Sequence, residues 1–221
     1  MGSEMCIRDS TLTVLYDVLM KDGVPMGIEE LTTRQLIIDA AKQEFLDKGF
    51  PKASLRNIAK NANVTTGAFY GYFSTKEDLF ATIVKPCCAA VKCRFSQSKE
   101  SFFEIPSPDS KRIDCVEWMV DYMYDHYDIF KILVCCSDGT QYESFVHDMC
   151  EIEVESTMRF LSKNNYDTDV LDKQFCHMIV SGMFGGIFEV IEHDLPREKA
   201  KPFVRRLREF NHAGWMQLMG K

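Results

Sequence analysis

Ser54, Arg56, Thr65, Thr66, Gly67, Ala68, Tyr70, Gly71, Tyr72 and Lys76 all lie within one short stretch of this chain. Their types suit contact with phosphates and base edges rather than bond making. Thr65 and Thr66 stand where a helix starts, and a helix N-terminus offers unpaired N–H groups and a partial positive charge to an anion. Gly67 lets a backbone come close to a bulky polyanion. Tyr70 and Tyr72 are long enough to set their hydroxyls on a sugar-phosphate backbone. Lys76 opens the next helix, where a cation opposes the dipole unless an anion lies between them. Thr65, Thr66, Ala68 and Gly71 are the candidates for base contact, and Tyr70, Tyr72 and Lys76 those for fixing register. Bond-making chemistry has no comparable support: the chain has no Gly-rich phosphate loop, no nucleophile elbow and no HExxH pair.

The elements that must hold these side chains can be read from the same stretch. Ser54 caps a short helix whose inner face is Leu55, Ile58, Ala59 and Ala62. Asn63 stands where that helix must stop, and Asn tolerates the left-handed conformation a tight turn needs. Thr65 or Thr66 caps a second short helix, whose inner face is expected to be Ala68, Phe69 and Phe73. Two short helices joined by a tight turn make a helix-turn-helix, whose second helix would enter a DNA major groove.

With Ile58-Ala59, Val64-Thr65-Thr66-Gly67, Phe69-Tyr70 and Phe73-Ser74-Thr75-Lys76-Glu77-Asp78-Leu79, this stretch resembles the DNA-binding domain of TetR/AcrR-type transcriptional regulators. The likeness extends back through Thr33-Arg34-Gln35-Leu36-Ile37, Ala40-Ala41, Phe45 and Lys48-Gly49-Phe50. Asn63 departs from it, because the family usually has Gly there. The resemblance implies an all-α protein with a three-helix DNA-binding domain over 32–80 and a helical ligand-binding and dimerisation domain over 81–221. It also implies a homodimer on a palindromic operator in double-stranded DNA, repression, and release by a small, hydrophobic molecule. No cofactor or metal is implied.

Charge is distributed accordingly. The chain carries 26 Lys+Arg against 33 Asp+Glu, which taken whole disfavours nucleic acid. Residues 33–85, however, hold eight basic and five acidic side chains, against eighteen and twenty-eight elsewhere. A basic head on an acidic body suits contact with DNA at one end only. No apolar run is expected to approach the length of a membrane span. Nine scattered cysteines form no secreted disulfide framework, so reduced thiols in a cytoplasm are expected. Residues 1–31 are read as a leader foreign to the rest, with Met26 an alternative start.

Beyond Leu79 the pattern stays helical. Pro86 should kink or break the helix that starts at Lys76. Ser98–Ser110 reads as a loop, followed by helices over 111–127, 128–136, 141–163, 168–192 and 197–219, with no strand. Phe175, Met178, Ile179 and Met183, continued by Gly186 and Val190, with Phe203, Leu207, Phe210 and Gly214 on the last helix, form stripes suited to a dimer interface. Gly182, Gly185 and Gly186 would allow close helix approach. Trp118, Tyr122, His126, Phe145, Met149 and Phe184 are candidates for an apolar ligand pocket. Two alternatives stay open: a thiol- or metal-sensing regulator using His147 with Cys150, Cys176-His177 or Cys135-Cys136, and a helical enzyme or protein-binding module with a vestigial head.

Overall fold

The computed structural model describes residues 20–21, 24–25, 28–97, 115–167 and 171–220. The expected loop at 98–110 and most of the expected leader lie outside them. The described residues contain nine helices: α1 Ile28–Lys52, α2 Leu55–Asn61, α3 Thr66–Tyr72, α4 Lys76–Gln97, α5 Cys115–Asp125, α6 Tyr127–Cys135, α7 Phe145–Lys163, α8 Lys173–Glu192 and α9 Arg197–Leu218. The class is all-α. Contrary to the expectation of no strand, two dipeptides, β1 (Met20–Lys21) and β2 (Val24–Pro25), pair antiparallel.

The chain divides into two compact units. Met1–Ala90 with Lys131–Tyr142 form the head, and Val91–Phe130 with Glu143–Lys221 form the body. The inclusion of 131–142 has visible causes. The Phe50 N–H donates to the Cys136 carbonyl at 2.9 Å, and the Tyr142 ring lies 6.1 Å from that of Phe80. Phe45, Phe50 and Phe80 meet at 5.1–6.0 Å between centroids, at the centre of a core shared with Ile37, Ala41, Ile58, Phe69, Phe73 and Leu79. Gly49 breaks α1 with φ 71°, a conformation that glycine adopts without strain.

Three expectations are corrected here. The helix through Pro86 is not interrupted: α4 is continuous from Lys76 to Gln97. Pro86 faces solvent while Ile83, Val84, Cys87 and Cys88 are buried around it, and that burial offsets a proline cost of about 3 kcal/mol. Ala68 is exposed, so the inner face of α3 rests on Phe69 and Phe73. Among the described residues one helix, α8, is long and apolar enough to cross a membrane by length and composition, with 20 residues and mean hydropathy 1.4. Its apolarity is that of a core helix, since Val180, Met183, Phe184, Ile187, Phe188, Val190 and Ile191 are buried in the body.

In the body, Phe184 and Phe188 of α8 pack with Phe95 of α4 and Phe145 of α7 at 5.7–6.4 Å between ring centroids. The Tyr124 hydroxyl donates to the Leu195 carbonyl at 2.6 Å and secures the α8–α9 turn. A rim of ion pairs joins α5 to α9: Arg197 with Asp121 and Asp125, Lys201 with Asp121, and Arg205 with Glu117.

Candidate nucleic-acid interface

Helices α2 and α3 have only seven residues each, too short to persist alone, and their ends are held by specific groups. Thr65, not Thr66, caps α3: its Oγ1 accepts from the Ala68 N–H at 3.1 Å. The Thr65 hydroxyl proton remains free to donate outward. Asn63 makes the turn at φ 56°, and its neighbour Val64 donates to the Ala59 carbonyl at 2.9 Å. Ser54 caps α2, with a long 3.5 Å bond from the Asn57 N–H. At the head of α4, the Asp78 N–H donates to Thr75 Oγ1, and the Asp78 carboxylate accepts from the Ser74 N–H, a reciprocal cap.

Phe69 and Phe73 anchor α3 inward at 5.9 Å between rings, and the opposite face is left to solvent. Thr65, Thr66, Gly67, Ala68, Tyr70 and Gly71 are all exposed, Tyr70 to 54% despite its size. A β-carbon at Gly71 would meet nothing within 4 Å, so the backbone there stands open. Arg56 is exposed on α2, while Ser54 and Tyr72 are half-buried. These nine residues therefore sit on or beside one helix-turn-helix, as their spacing predicts.

Lys76 is the exception. Its ammonium donates to the carbonyls of Phe50 (2.7 Å), Ala53 (3.3 Å) and Pro51 (3.4 Å), and lies 4.5 Å from the Phe50 ring centroid. The anion-like partner expected for this cation is the carbonyl-rich C-terminal end of α1. Lys76 thus positions the helix-turn-helix, with its three donors engaged inside the head.

Glu44 escaped the sequence reading. It is 5% exposed, and its Oε1 accepts from Lys48 Nζ (2.8 Å), the Ser54 N–H (3.0 Å) and Asn57 Nδ2 (3.3 Å). Burial pushes its pKa up, but those hydrogen bonds and the Lys48 charge outweigh it and hold the carboxyl below the usual range. One buried carboxylate thereby ties α1 to the first turn of α2. A signal was present: Glu44 falls between Ala41 and Phe45, both wholly buried.

The other expected sites are divided. Trp118 stacks on Tyr122 at 5.0 Å, and Tyr122 meets His126 edge-on at 4.5 Å, all three half-buried, the first two on α5 and His126 in the turn after it. Phe145, Met149 and Phe184 belong instead to the filled core, at 1% exposure or less. A cavity of about 30 Å³ between α5 and α9, lined by Val116, Val120 and Val204 among others, touches none of the six. Of the expected dimer stripe, Phe203 (50%) and Phe210 (77%) are exposed, and Phe175, Ile179 and Leu207 half-buried. Met183 is corrected: at 4% exposure it is packed within its own subunit. Gly186 serves an internal approach too, since a β-carbon there would come within 2.8 Å of Leu207. Met178, also on the expected stripe, is 68% exposed. Cys136, Cys150 and Cys176 are buried thiols pushed up by desolvation, which makes them poor nucleophiles.

The head thus holds a helix-turn-helix with a capped, solvent-facing second helix, and the second unit of the chain is wholly helical in its described residues. Residues 37–83 match the family of bacterial regulatory proteins, tetR family. Over 84 residues the chain is 36% identical to the HTH-type transcriptional repressor BepR of Brucella suis biovar 1, covering 36% of this chain and 37% of that protein. Over 55 residues it is 47% identical to the HTH-type transcriptional regulator AcrR of Shigella flexneri, covering 25% and 26% respectively. These matches span less than two fifths of either relative. In fold, a transcriptional regulator from Aquifex aeolicus VF5 aligns with 84% of this chain and 99% of its own, at TM-score 0.53 and 21% identity. The transcriptional regulator FadR from Bacillus subtilis, solved with stearoyl-CoA, aligns with 81% and 98% at TM-score 0.55 and 13% identity. The family match thus lies within the head, over residues 37–83, and the likeness across head and body together is one of fold.

Proposed function

We propose that this protein is a cytoplasmic, DNA-binding transcriptional regulator rather than an enzyme, and that it acts as a homodimeric repressor. The observation that carries this reading is the outward face of α3: Thr65 to Gly71 exposed around a buried Phe69. In a major groove, Thr65, Thr66, Ala68 and Gly71 would face base edges. Ser54, Arg56, Tyr70, Tyr72 and the N-terminal backbone at Gly67 would hold phosphates. Two heads carried by a dimer would read a two-fold symmetric site. Exposed Met178, Phe203 and Phe210, beside Gly182 and Gly185 with open space above them, support a dimer face on α8 and α9. A small hydrophobic effector binding the body would favour the DNA-free state in proportion to its differential affinity for that state.

Selection of bound duplexes from a random library, with reduced protein at moderate salt, tests the reading. Recovery of a palindromic site is expected, and Tyr70→Ala should then weaken binding to all recovered sequences alike. Recovery of nothing above background would overturn it. Sedimentation of Phe210→Glu tests the dimer face: a monomer is expected, and an unchanged dimer would remove that face.

A further inference from the structure

Outside the DNA-binding head, α7 and α8 bring together a donor set that the spacing of His147 and Cys150 did not reveal. His147 and Glu151 lie one helical turn apart on α7, and His177 comes across from α8. One ligand atom from each lies within 4.8 Å of the others. Cys150 is not part of the set, and its side chain is buried at 2% exposure. The two imidazoles face each other with ring centroids 5.3 Å apart, and His177 Nε2 stands 3.2 Å from Glu151 Oε1. The other His177 nitrogen, Nδ1, is 3.2 Å from Ser181 Oγ, so Ser181 fixes the ring with Nε2 toward the carboxylate. This is the outer support that a metal-binding histidine requires.

We infer that His147, Glu151 and His177 form a site for a divalent transition-metal ion of the zinc, cobalt or nickel class. The inference does not rest on the DNA-binding reading. Two neutral imidazoles and one carboxylate are borderline donors suited to these ions. Metal–ligand bonds of about 2.0–2.2 Å set neighbouring donors roughly 3–3.5 Å apart. The present donors therefore need to close by up to roughly 1.3–1.8 Å, within side-chain rotation. His147 is exposed and the other two are half-buried, which leaves a path for the ion and at least one position for water or a further ligand. Lys173 Nζ, 3.2 Å from Glu151 Oε2 and itself 60% exposed, occupies the carboxylate meanwhile and can swing away into solvent. Such an ion would clamp α7 to α8 from outside.

The test uses the full chain, reduced and stripped with chelator. Zn²⁺ is titrated against a chromophoric chelator, and the Co²⁺ spectrum is recorded separately. One equivalent per chain is expected, with a rise in melting temperature and a cobalt spectrum free of thiolate-to-metal charge transfer. His147→Ala, at an exposed position that should not disturb folding, and Glu151→Gln should each weaken binding at least tenfold. Lys173→Ala should tighten it several-fold by freeing the carboxylate, an effect that a merely structural role would not produce. Absence of stoichiometric binding, a thiolate signature, or unchanged affinity in a His147→Ala/His177→Ala double variant would overturn the site.

Discussion

Head and body hold their helices by different means. The head relies on single polar groups that reach across to helix ends: Glu44 to the start of α2, and Lys76 to the end of α1. The body relies on interdigitated rings between helices of 19 to 22 residues, with its ion pairs at partly or fully exposed positions. Length explains the contrast. A seven-residue helix leaves most of its backbone groups unpaired within the helix, so its ends must be satisfied from elsewhere. A twenty-residue helix loses little at its ends and gains mainly from its apolar face. Partly buried polar ties are therefore worth much in the head, and exposed ones little in the body.

The largest effect should come from emptying the head's core. Phe69→Ala should cost about 3–5 kcal/mol. Trp118 and Trp215 both belong to the body, so circular dichroism should report this loss at lower urea than tryptophan fluorescence does. Coincident transitions would show the two units melting as one. Next comes Glu44→Gln, which disturbs a carboxylate with three donors and should cost about 1–3 kcal/mol. Its folded pKa lies below the unfolded value, so its contribution is present above roughly pH 4.3 and is lost as the pH falls through the folded value. Melts between pH 7 and pH 3 should show the wild-type protein converging on Glu44→Gln in acid. A constant gap would remove the carboxylate's charge from the account.

Lys76→Ala should cost about 2 kcal/mol through three carbonyl contacts and one ring contact. If DNA affinity, measured below the melting range, falls no more than stability explains, Lys76 is a positioning residue. A reduced salt slope would return it to the phosphate contacts. Smallest of all, Arg197→Ala should cost less than about 1 kcal/mol despite two short ion pairs. Its partners Asp121 and Asp125 are 38% and 57% exposed, so water replaces most of what is lost. A larger cost would mean that the rim does more than decorate the body.

The helix-turn-helix was legible because its determinants are local. Ser54 and Thr65 as caps, Asn63 at positive φ, and the Phe69/Phe73 spacing all act within a few residues. What went unread acts over distance. Asn57 and Glu44 are thirteen residues apart, and Lys76 reaches carbonyls twenty-three to twenty-six residues back. No periodicity announces either tie. Pro86 shows the same limit from the other side: its local rule is correct, but burial of its neighbours overrides it.

The sequence by itself determined that the chain is helical and where its helix-turn-helix lies. Caps, turns and helical period are short-range physics, and each residue declares its part. Only the tertiary structure decided which way side chains on long apolar helices face. It put Met183 and Gly186 inside the subunit, left Met178 and Phe210 outside, and separated Trp118 from Phe145. It also set His177 against His147 and Glu151. A stripe specifies that a face will be covered, but its covering depends on the neighbouring helices, and that choice is made by packing the whole body at once.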